Sequence, residues 1–109
     1  MTITNRIKQE LFNADIDYQY QLDSFRSQYP NGVNFCYETV SSKAASAYES
    51  LSKAMSTFNA LVVLVESKLK GEELERKSRE IIDRYNNAET EEELNATEKE
   101  YYSLYTIRA

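Results

Sequence analysis

Six basic side chains are concentrated around Gly71, where together they could bind an anion. They are Lys68, Lys70, Arg76, Lys77, Arg79 and Arg84. A helix that begins after Gly71 has free backbone N–H groups in its first turn, and such groups attract anions. Ordinary surface charge is the favoured interpretation of this pattern, and a site for a phosphate or a nucleotide is the alternative. The predicted anion-binding residues are Lys68, Lys70, Arg76, Lys77 and Arg79.

No set of residues in the sequence has the composition that catalysis or metal binding needs. The serine-rich stretch 41–56 would need a general base to activate a nucleophile, and the chain has no histidine. The acidic stretch 89–93 lacks the glycine and the alternating ligands of an EF-hand loop. Carboxylate-bridged di-metal sites in helical bundles need Glu-x-x-His pairs. We therefore expect a protein that is not an enzyme, with no metal site and no cofactor.

The composition favours one helical domain over residues 1–109. Two glycines and one proline leave little for turns, which suits a few long helices. The 18 acidic residues outnumber the 13 basic ones, so general nucleic-acid binding is disfavoured.

Cysteine content and hydropathy predict where the protein resides. Cys36 is the one cysteine in the chain, so an internal disulfide cannot form and a reducing compartment is expected. The first ten residues lack the apolar run of a signal peptide, and no stretch approaches the ~20 apolar residues of a membrane span. We expect a soluble cytoplasmic protein that has no membrane partner.

The longest helical repeat in the sequence lies between residues 33 and 70. Its apolar positions alternate at steps of four and three, which keeps one stripe of a helix against a partner. They are Tyr37, Val40, Ala44, Tyr48, Leu51, Met55, Phe58, Val62, Val65 and Leu69. No proline or glycine interrupts the repeat, so we predict one central helix over about 34–70. The apolar run 61–65 should be covered on every side, with Val62 in the core; a β-strand is the rejected alternative.

A first helix is predicted from about residue 4 to 28, ended by the turn at 29–32. Its core stripe is Ile7, Leu11, Ala14, Tyr18, Leu22, Phe25 and Tyr29. Phe12, Ile16 and Tyr20 point roughly 120°, 160° and 200° away from that stripe and form a second apolar ridge. This ridge predicts an interface, to which Tyr102 adds another outward-facing ring. The alternative is that a later helix covers the ridge within one chain.

Two shorter helices are predicted after Gly71. Bases before Gly71 and acids after it are typical of the end of one helix and the start of the next. Helix 3 should span about 72–86, and helix 4 should run to about residue 106 after a capping box formed by Thr90 and Glu93. The two form a hairpin that covers the distal half of the central helix. The predicted fold is all-α, an antiparallel bundle of four helices.

The C-terminal hairpin also carries a resemblance. Residues 81–94, IIDRYNNAETEEEL, look like a helix–A-x-T-x-E-E-L–helix hairpin found in various phage-encoded proteins. The small, acidic chain, rich in tyrosine and asparagine, resembles an accessory protein of a tailed phage. The resemblance implies a protein that binds and inhibits, or redirects, a host factor, and it assigns no functional residue.

These observations predict a non-enzymatic protein–protein interaction module that self-associates or inhibits a host or defence protein. The alternative is a protein that binds or sequesters an anionic nucleotide at the bend around Gly71. Thermal-shift titration with nucleotides separates the two, because a ligand bound to the native state alone raises the melting temperature.

Overall fold

The computed structural model describes residues 3–31 and 42–108 and confirms the all-α helical bundle. Its helices are α1 (Ile3–Gln28), α2 (Ser42–Val62), α3 (Glu72–Asn86) and α4 (Glu91–Ser103). Two short strands, β1 (Val65–Ser67) and β2 (Tyr105–Ile107), pair antiparallel. None of the helices in this part of the chain is long and apolar enough to cross a membrane.

Helices α1 and α2 pack along each other in opposite directions. The Phe25 and Tyr48 ring centroids lie 6.1 Å apart, and those of Tyr18 and Phe58 lie 5.4 Å apart. From the first pair to the second, the residue number decreases along α1 and increases along α2, so the two helices are antiparallel. Pro30 lies just beyond the end of α1, as the fixed φ of proline and its effect on the preceding residue predict.

The predicted central helix is too long at its C-terminal end. The start of the predicted range, 34–41, lies outside the described residues, but α2 ends at Val62 rather than at residue 70. A turn follows, in which the Leu64 N–H donates to the Leu61 carbonyl at 3.0 Å, and β1 begins at Val65. β-Branched valines favour extended backbone. Here they also gain a pairing partner, because β2 lies alongside with Val65 opposite Ile107.

The buried face of α2 follows the predicted stripe at Ala44 and Phe58 but departs from it at two other positions. Ala54 is buried and Met55 is exposed, although the sequence predicted Met55 as the inward position. Likewise Leu61 packs against the core while Val62 is exposed. A small side chain such as Ala54 at a contact between helices lets the two helix axes approach closely.

Helices α3 and α4 form the predicted hairpin. The buried positions of α3 are Ser78, Ile81 and Ile82, which lie on one face of the helix at steps of three and four. Thr90 caps α4 by accepting from the Glu93 N–H at 3.2 Å. The Glu93 carboxylate reaches back to the Glu89 N–H at 3.1 Å, one residue before the predicted Thr90. Helix α4 ends at Ser103 rather than near 106, because Tyr105–Ile107 forms β2.

The main core lies on the face of α1 that carries Leu11 and Phe12. Both side chains are fully buried. They pack in one cluster with buried residues of α3, α4 and the strands: Val65, Ile81, Ile82, Tyr101, Leu104 and Tyr105. Helix α1 is therefore covered on two sides, by α2 on one and by the C-terminal half of the chain on the other.

Gly71 adopts a backbone conformation that other residues rarely reach. Its φ is +63° and its ψ is −136°, and it immediately precedes α3. A Cβ added there would meet nothing within 4 Å, so the cost of a side chain is backbone strain alone. Gly71 therefore opens α3 and does not end α2, which stops at Val62.

Gly71→Ala should lower the free energy of unfolding by at least about 1 kcal/mol, because alanine cannot adopt this φ without strain. Chemical denaturation monitored by circular dichroism measures the change. Lys70→Ala, at the exposed neighbouring residue, is the matched control and should have little effect. A more stable Gly71→Ala variant would mean that the chain is helical through this position.

Candidate functional site

Asp15 is a carboxylate buried on the core side of α1. Only 4% of the residue is exposed. It lies one helical turn after Leu11, so the same face that buries Leu11 also draws Asp15 inward. Gln19 Nε2 donates to Asp15 Oδ1 at 3.0 Å, and the Tyr101 hydroxyl donates to Oδ2 at 2.7 Å. Each oxygen thus has one neutral donor.

Tyr101 connects Asp15 to the C-terminal part of the chain. The tyrosine is fully buried at the end of α4, and its ring lies 5.3 Å from that of Tyr105 in β2. The Tyr105 hydroxyl lies 3.4 Å from Ser78 Oγ of α3, within hydrogen-bonding distance. Burial, together with the Asp15 charge and Tyr105, raises the pKa of Tyr101 above its usual range, so its hydroxyl stays protonated and keeps donating.

A cleft of about 370 Å³ opens beside Asp15, between α1, α2, α3 and β2. Its apolar walls include the rings of Tyr18 and Phe58. Its polar lining comes from Asp15, Gln19, Asn59, Glu75, Ser78, Arg79 and Tyr105. Cavities of this size, mainly apolar with a few converging polar groups, are where small ligands bind in proteins.

The charges around the cleft favour a cation. Burial raises the pKa of Asp15, an effect that Tyr101, Gln19 and Arg79 oppose and the negative charge of Glu75 reinforces. Arg79 donates from Nη2 to Asp23 Oδ2 at 2.5 Å, so much of its positive charge is already balanced. Asp15 itself has no ion pair within the part of the chain that the structure describes.

The five predicted anion-binding residues do not all converge. Lys77 pairs with Glu100 of α4 at 3.6 Å and with Glu80 at 3.9 Å. Arg79 points to the other side, towards Asp23 of α1, since two residues along a helix turn the side chain by about 200°. Lys68, Lys70 and Arg76 are exposed. Acids also fill the first turn of α3, where the anion was expected to bind.

The predicted interface ridge on α1 is mostly core. Phe12 is fully buried, with its ring centroid 4.9 Å from that of Tyr85 and 4.7 Å from that of Tyr101. Ile16 is half-buried against the same cluster. The expectation that these two side chains face solvent is wrong, because α3 and α4 cross over this side of α1, the alternative left open above.

The two tyrosines of the predicted interface differ from each other. Tyr20 is 69% exposed and remains available to a partner. Tyr102 is half-buried, with its ring edge-on to Phe12 at 6.3 Å. Partial burial raises the pKa of Tyr102 to about 12. Tyr102 therefore serves partly as the outer wall of the core.

A different apolar surface is exposed where α2 meets β1. Val62, Val63 and Leu64, which we call the apolar corner, are 37%, 63% and 45% exposed. Its backbone is held in place, since the Arg108 N–H donates to the Leu64 carbonyl at 3.0 Å and Leu64 donates to Leu61. The sequence predicts that these residues are in the core, because it indicates a central helix that continues through them and is covered on every side by other helices.

Comparison with protein-family models, with curated proteins and with solved structures finds no match to this chain. Within residues 3–31 and 42–108, no three His, Cys, Asp or Glu side chains group in a way that could hold a metal ion. Proposals for function therefore depend on the cleft and on the apolar corner.

The raised pKa of Asp15 predicts a specific pH dependence of stability. The unfolded chain ionises this carboxyl near 3.8, and the folded chain holds the proton to higher pH. The stability that Asp15 contributes is thus fully present below pH 3.8 and is lost as the pH rises through the folded pKa. The groups around it are Glu75 and Arg79 of α3, Tyr101 of α4, Tyr105 of β2 and Gln19 of α1.

Asp15→Asn keeps an oxygen for the Tyr101 hydroxyl and removes the buried charge. We expect it to unfold at a higher temperature than the wild type at pH 7, with the difference shrinking as the pH falls towards 3.8. Thermal unfolding across this pH range measures it. Asp17→Asn, an exposed acid on the same helix, is the matched control. A difference that grew towards low pH would contradict the direction assigned to Asp15.

Proposed function

We propose that this chain acts by binding another protein, without catalysis, and that the apolar corner is its contact. The observation that carries the proposal is the exposure of three consecutive large apolar side chains, Val62, Val63 and Leu64. Runs of exposed apolar residues reduce solubility and are kept where they serve binding. Each such side chain contributes about 1.5–3 kcal/mol when it is fully buried, so a partner that covers the corner gains substantial affinity.

The surroundings of the corner suit an interface. Glu66 and Arg108 lie beside it, both exposed, with Arg108 Nε 3.6 Å from Glu66 Oε1. An apolar centre with a charged rim is the usual arrangement of protein interfaces. The fixed backbone between Leu61 and Val65 also supports the proposal, because a preorganised contact loses less conformational entropy on binding.

The partner is a second copy of the chain or another protein. The resemblance of the C-terminal hairpin to phage proteins makes a host or defence protein in the host cytoplasm the natural candidate, with this chain as its inhibitor. Tyr20, exposed on α1, is proposed as a secondary contact. The excess of acidic residues disfavours nucleic acid as the partner.

Val63→Asp should remove binding and leave the fold intact, because the side chain is mostly exposed. Self-association is measured by sedimentation velocity over a range of concentrations, and folding by circular dichroism. A second protein is detected by photo-crosslinking from position 63 in cells that make the chain naturally. Thr106, exposed in β2, serves as the matched control position. Unchanged assembly and unchanged crosslinked products in a folded Val63→Asp variant would refute the proposal.

Nucleotide binding at the bend stays as the second candidate, supported by the exposure of Lys68, Lys70 and Arg76. A saturable rise in melting temperature with ATP, lost in a Lys68→Ala, Lys70→Ala variant, would favour it. No shift with any nucleoside triphosphate would exclude it.

A further inference from the structure

The cleft beside Asp15 has a combination of features that protein binding at the apolar corner does not use. It contains a buried carboxylate, the aromatic rings of Tyr18, Phe58 and Tyr105, and an opening between helices. Aspartates are almost never buried without a charged partner. In the described part of the chain the partners of Asp15 are the neutral groups of Gln19 and Tyr101.

We propose that this cleft binds a small organic cation, an amine that carries an apolar group, with its ammonium on Asp15 and its apolar part against Tyr18 and Phe58. The carboxylate has about four lone-pair positions, and Gln19 and Tyr101 occupy one on each oxygen. An ammonium donates three hydrogen bonds and supplies the missing positive charge.

The apolar walls of the cleft favour a ligand that carries an apolar group. The Tyr18 and Phe58 rings lie 5.4 Å apart and are tilted by 35°, and Leu22, Val62 and Leu74 complete the apolar lining. Aromatic faces also attract a cation that lies over them. The volume of about 370 Å³ is at the small end of ligand pockets, which span about 300–1,000 Å³. The ligand class is therefore a monoamine with one ring or a short alkyl chain.

The charges select against anions. Glu75 lies on the same cleft as Asp15. Among the residues that the structure describes, the one base that lines the cleft is Arg79, which is paired with Asp23. An anionic ligand would have to approach two carboxylates without a free base. The cleft lining includes Gly71 but not Lys68, Lys70 or Arg76. The Lys68→Ala, Lys70→Ala variant therefore distinguishes binding of a nucleotide at the bend from binding of an amine in the cleft.

The test uses three probes of similar shape and different charge: phenethylamine, phenethyl alcohol and phenylacetate. Isothermal titration calorimetry at pH 7 should show saturable binding of phenethylamine, and much weaker binding of the alcohol and of phenylacetate. Asp15→Asn should weaken the affinity for phenethylamine by roughly 30-fold or more, since one partner of a buried charge pair is removed. Asp17→Asn should leave the affinity for phenethylamine unchanged. Binding should also weaken as the pH is lowered through the pKa of Asp15, because the protonated acid cannot pair with an ammonium.

Several results would overturn the proposal. Equal affinities for phenethylamine in wild type and folded Asp15→Asn would do so, as would tighter binding of phenylacetate. The proposal would also be overturned if none of the three amines phenethylamine, hexylamine and cyclohexylamine showed saturable binding. If Asp15→Asn does not fold, Phe58→Leu decides, because the half-buried Phe58 ring lines the cleft where the apolar part of the ligand is placed. An unchanged affinity in that variant would overturn the proposal.

Discussion

Phe12→Ala is expected to lower the free energy of unfolding by about 3–5 kcal/mol, which is a large part of the stability of a small domain. The Phe12 ring is fully buried and lies against three tyrosines, Tyr85, Tyr101 and Tyr102, at centroid distances of 4.9, 4.7 and 6.3 Å. Removing it leaves a cavity between α1, α3 and α4 and deletes three aromatic contacts. Urea denaturation followed by circular dichroism gives the change.

Tyr20→Ala is the matched control for Phe12→Ala, because Tyr20 was assigned to the same ridge and is mostly exposed. Its effect on unfolding should stay within about 0.5 kcal/mol. The pair therefore separates the two interpretations of this side of α1. A fully stable Phe12→Ala variant that lost self-association would restore the interface predicted from the sequence and contradict the burial described above.

The ridge shows what the periodicity of a single helix can predict. Spacing identified two apolar faces on α1, and both contribute to the main core, Leu11 from the first face and Phe12 from the second. Tyr18 and Phe25 of the first face also pack against α2. Spacing alone gives no information about which later segment crosses a given face. The contact between Phe12 and Tyr101 joins residues far apart in the chain, so the burial of Phe12 depends on the path of α3 and α4.

The helical hairpin was predictable because its signals are local. Glycine at 71, the capping box of Thr90 and Glu93, and the stripe that includes Ile81 and Ile82 each act within a few residues. The predicted bounds of helix 3, about 72–86, agree with those observed. Where the sequence failed, at β1 and β2, the deciding interaction pairs Val65 with Ile107. Such a pairing joins residues far apart in the sequence, so a pattern within a few neighbouring residues does not indicate it.

The candidate site was missed for a related reason. Asp15 falls one turn after Leu11 on the apolar side of α1, and an acid at such a position is the signal that could have identified it. Its partner Tyr101 is 86 residues away, and the cleft is formed by segments from four elements. The basic cluster around Gly71 was conspicuous in sequence, yet the helix turns Lys77 and Arg79 towards different neighbours.

Val65→Asp should unfold the protein, with a loss of at least about 3 kcal/mol, because it places an unpaired charge in the core. Val65 is 3% exposed and belongs to the same cluster as Phe12 and Ile81. Its strand is joined to β2, so the disruption extends to Tyr105, which lines the cleft. Loss of the cooperative thermal transition in circular dichroism is the expected readout.

Val62→Asp is the matched substitution, the same chemical change three residues earlier. A continuous helix covered on every side would make it as damaging as Val65→Asp. In the observed structure Val62 is 37% exposed at the apolar corner, where a carboxylate keeps contact with water, so we expect a cost of about 1 kcal/mol and a folded protein. Both variants are compared by thermal denaturation in the same buffer. Equal destabilisation would mean that Val62, at the end of α2, is buried as the sequence predicted. The expected difference would show that Val65 faces the core and Val62 faces solvent.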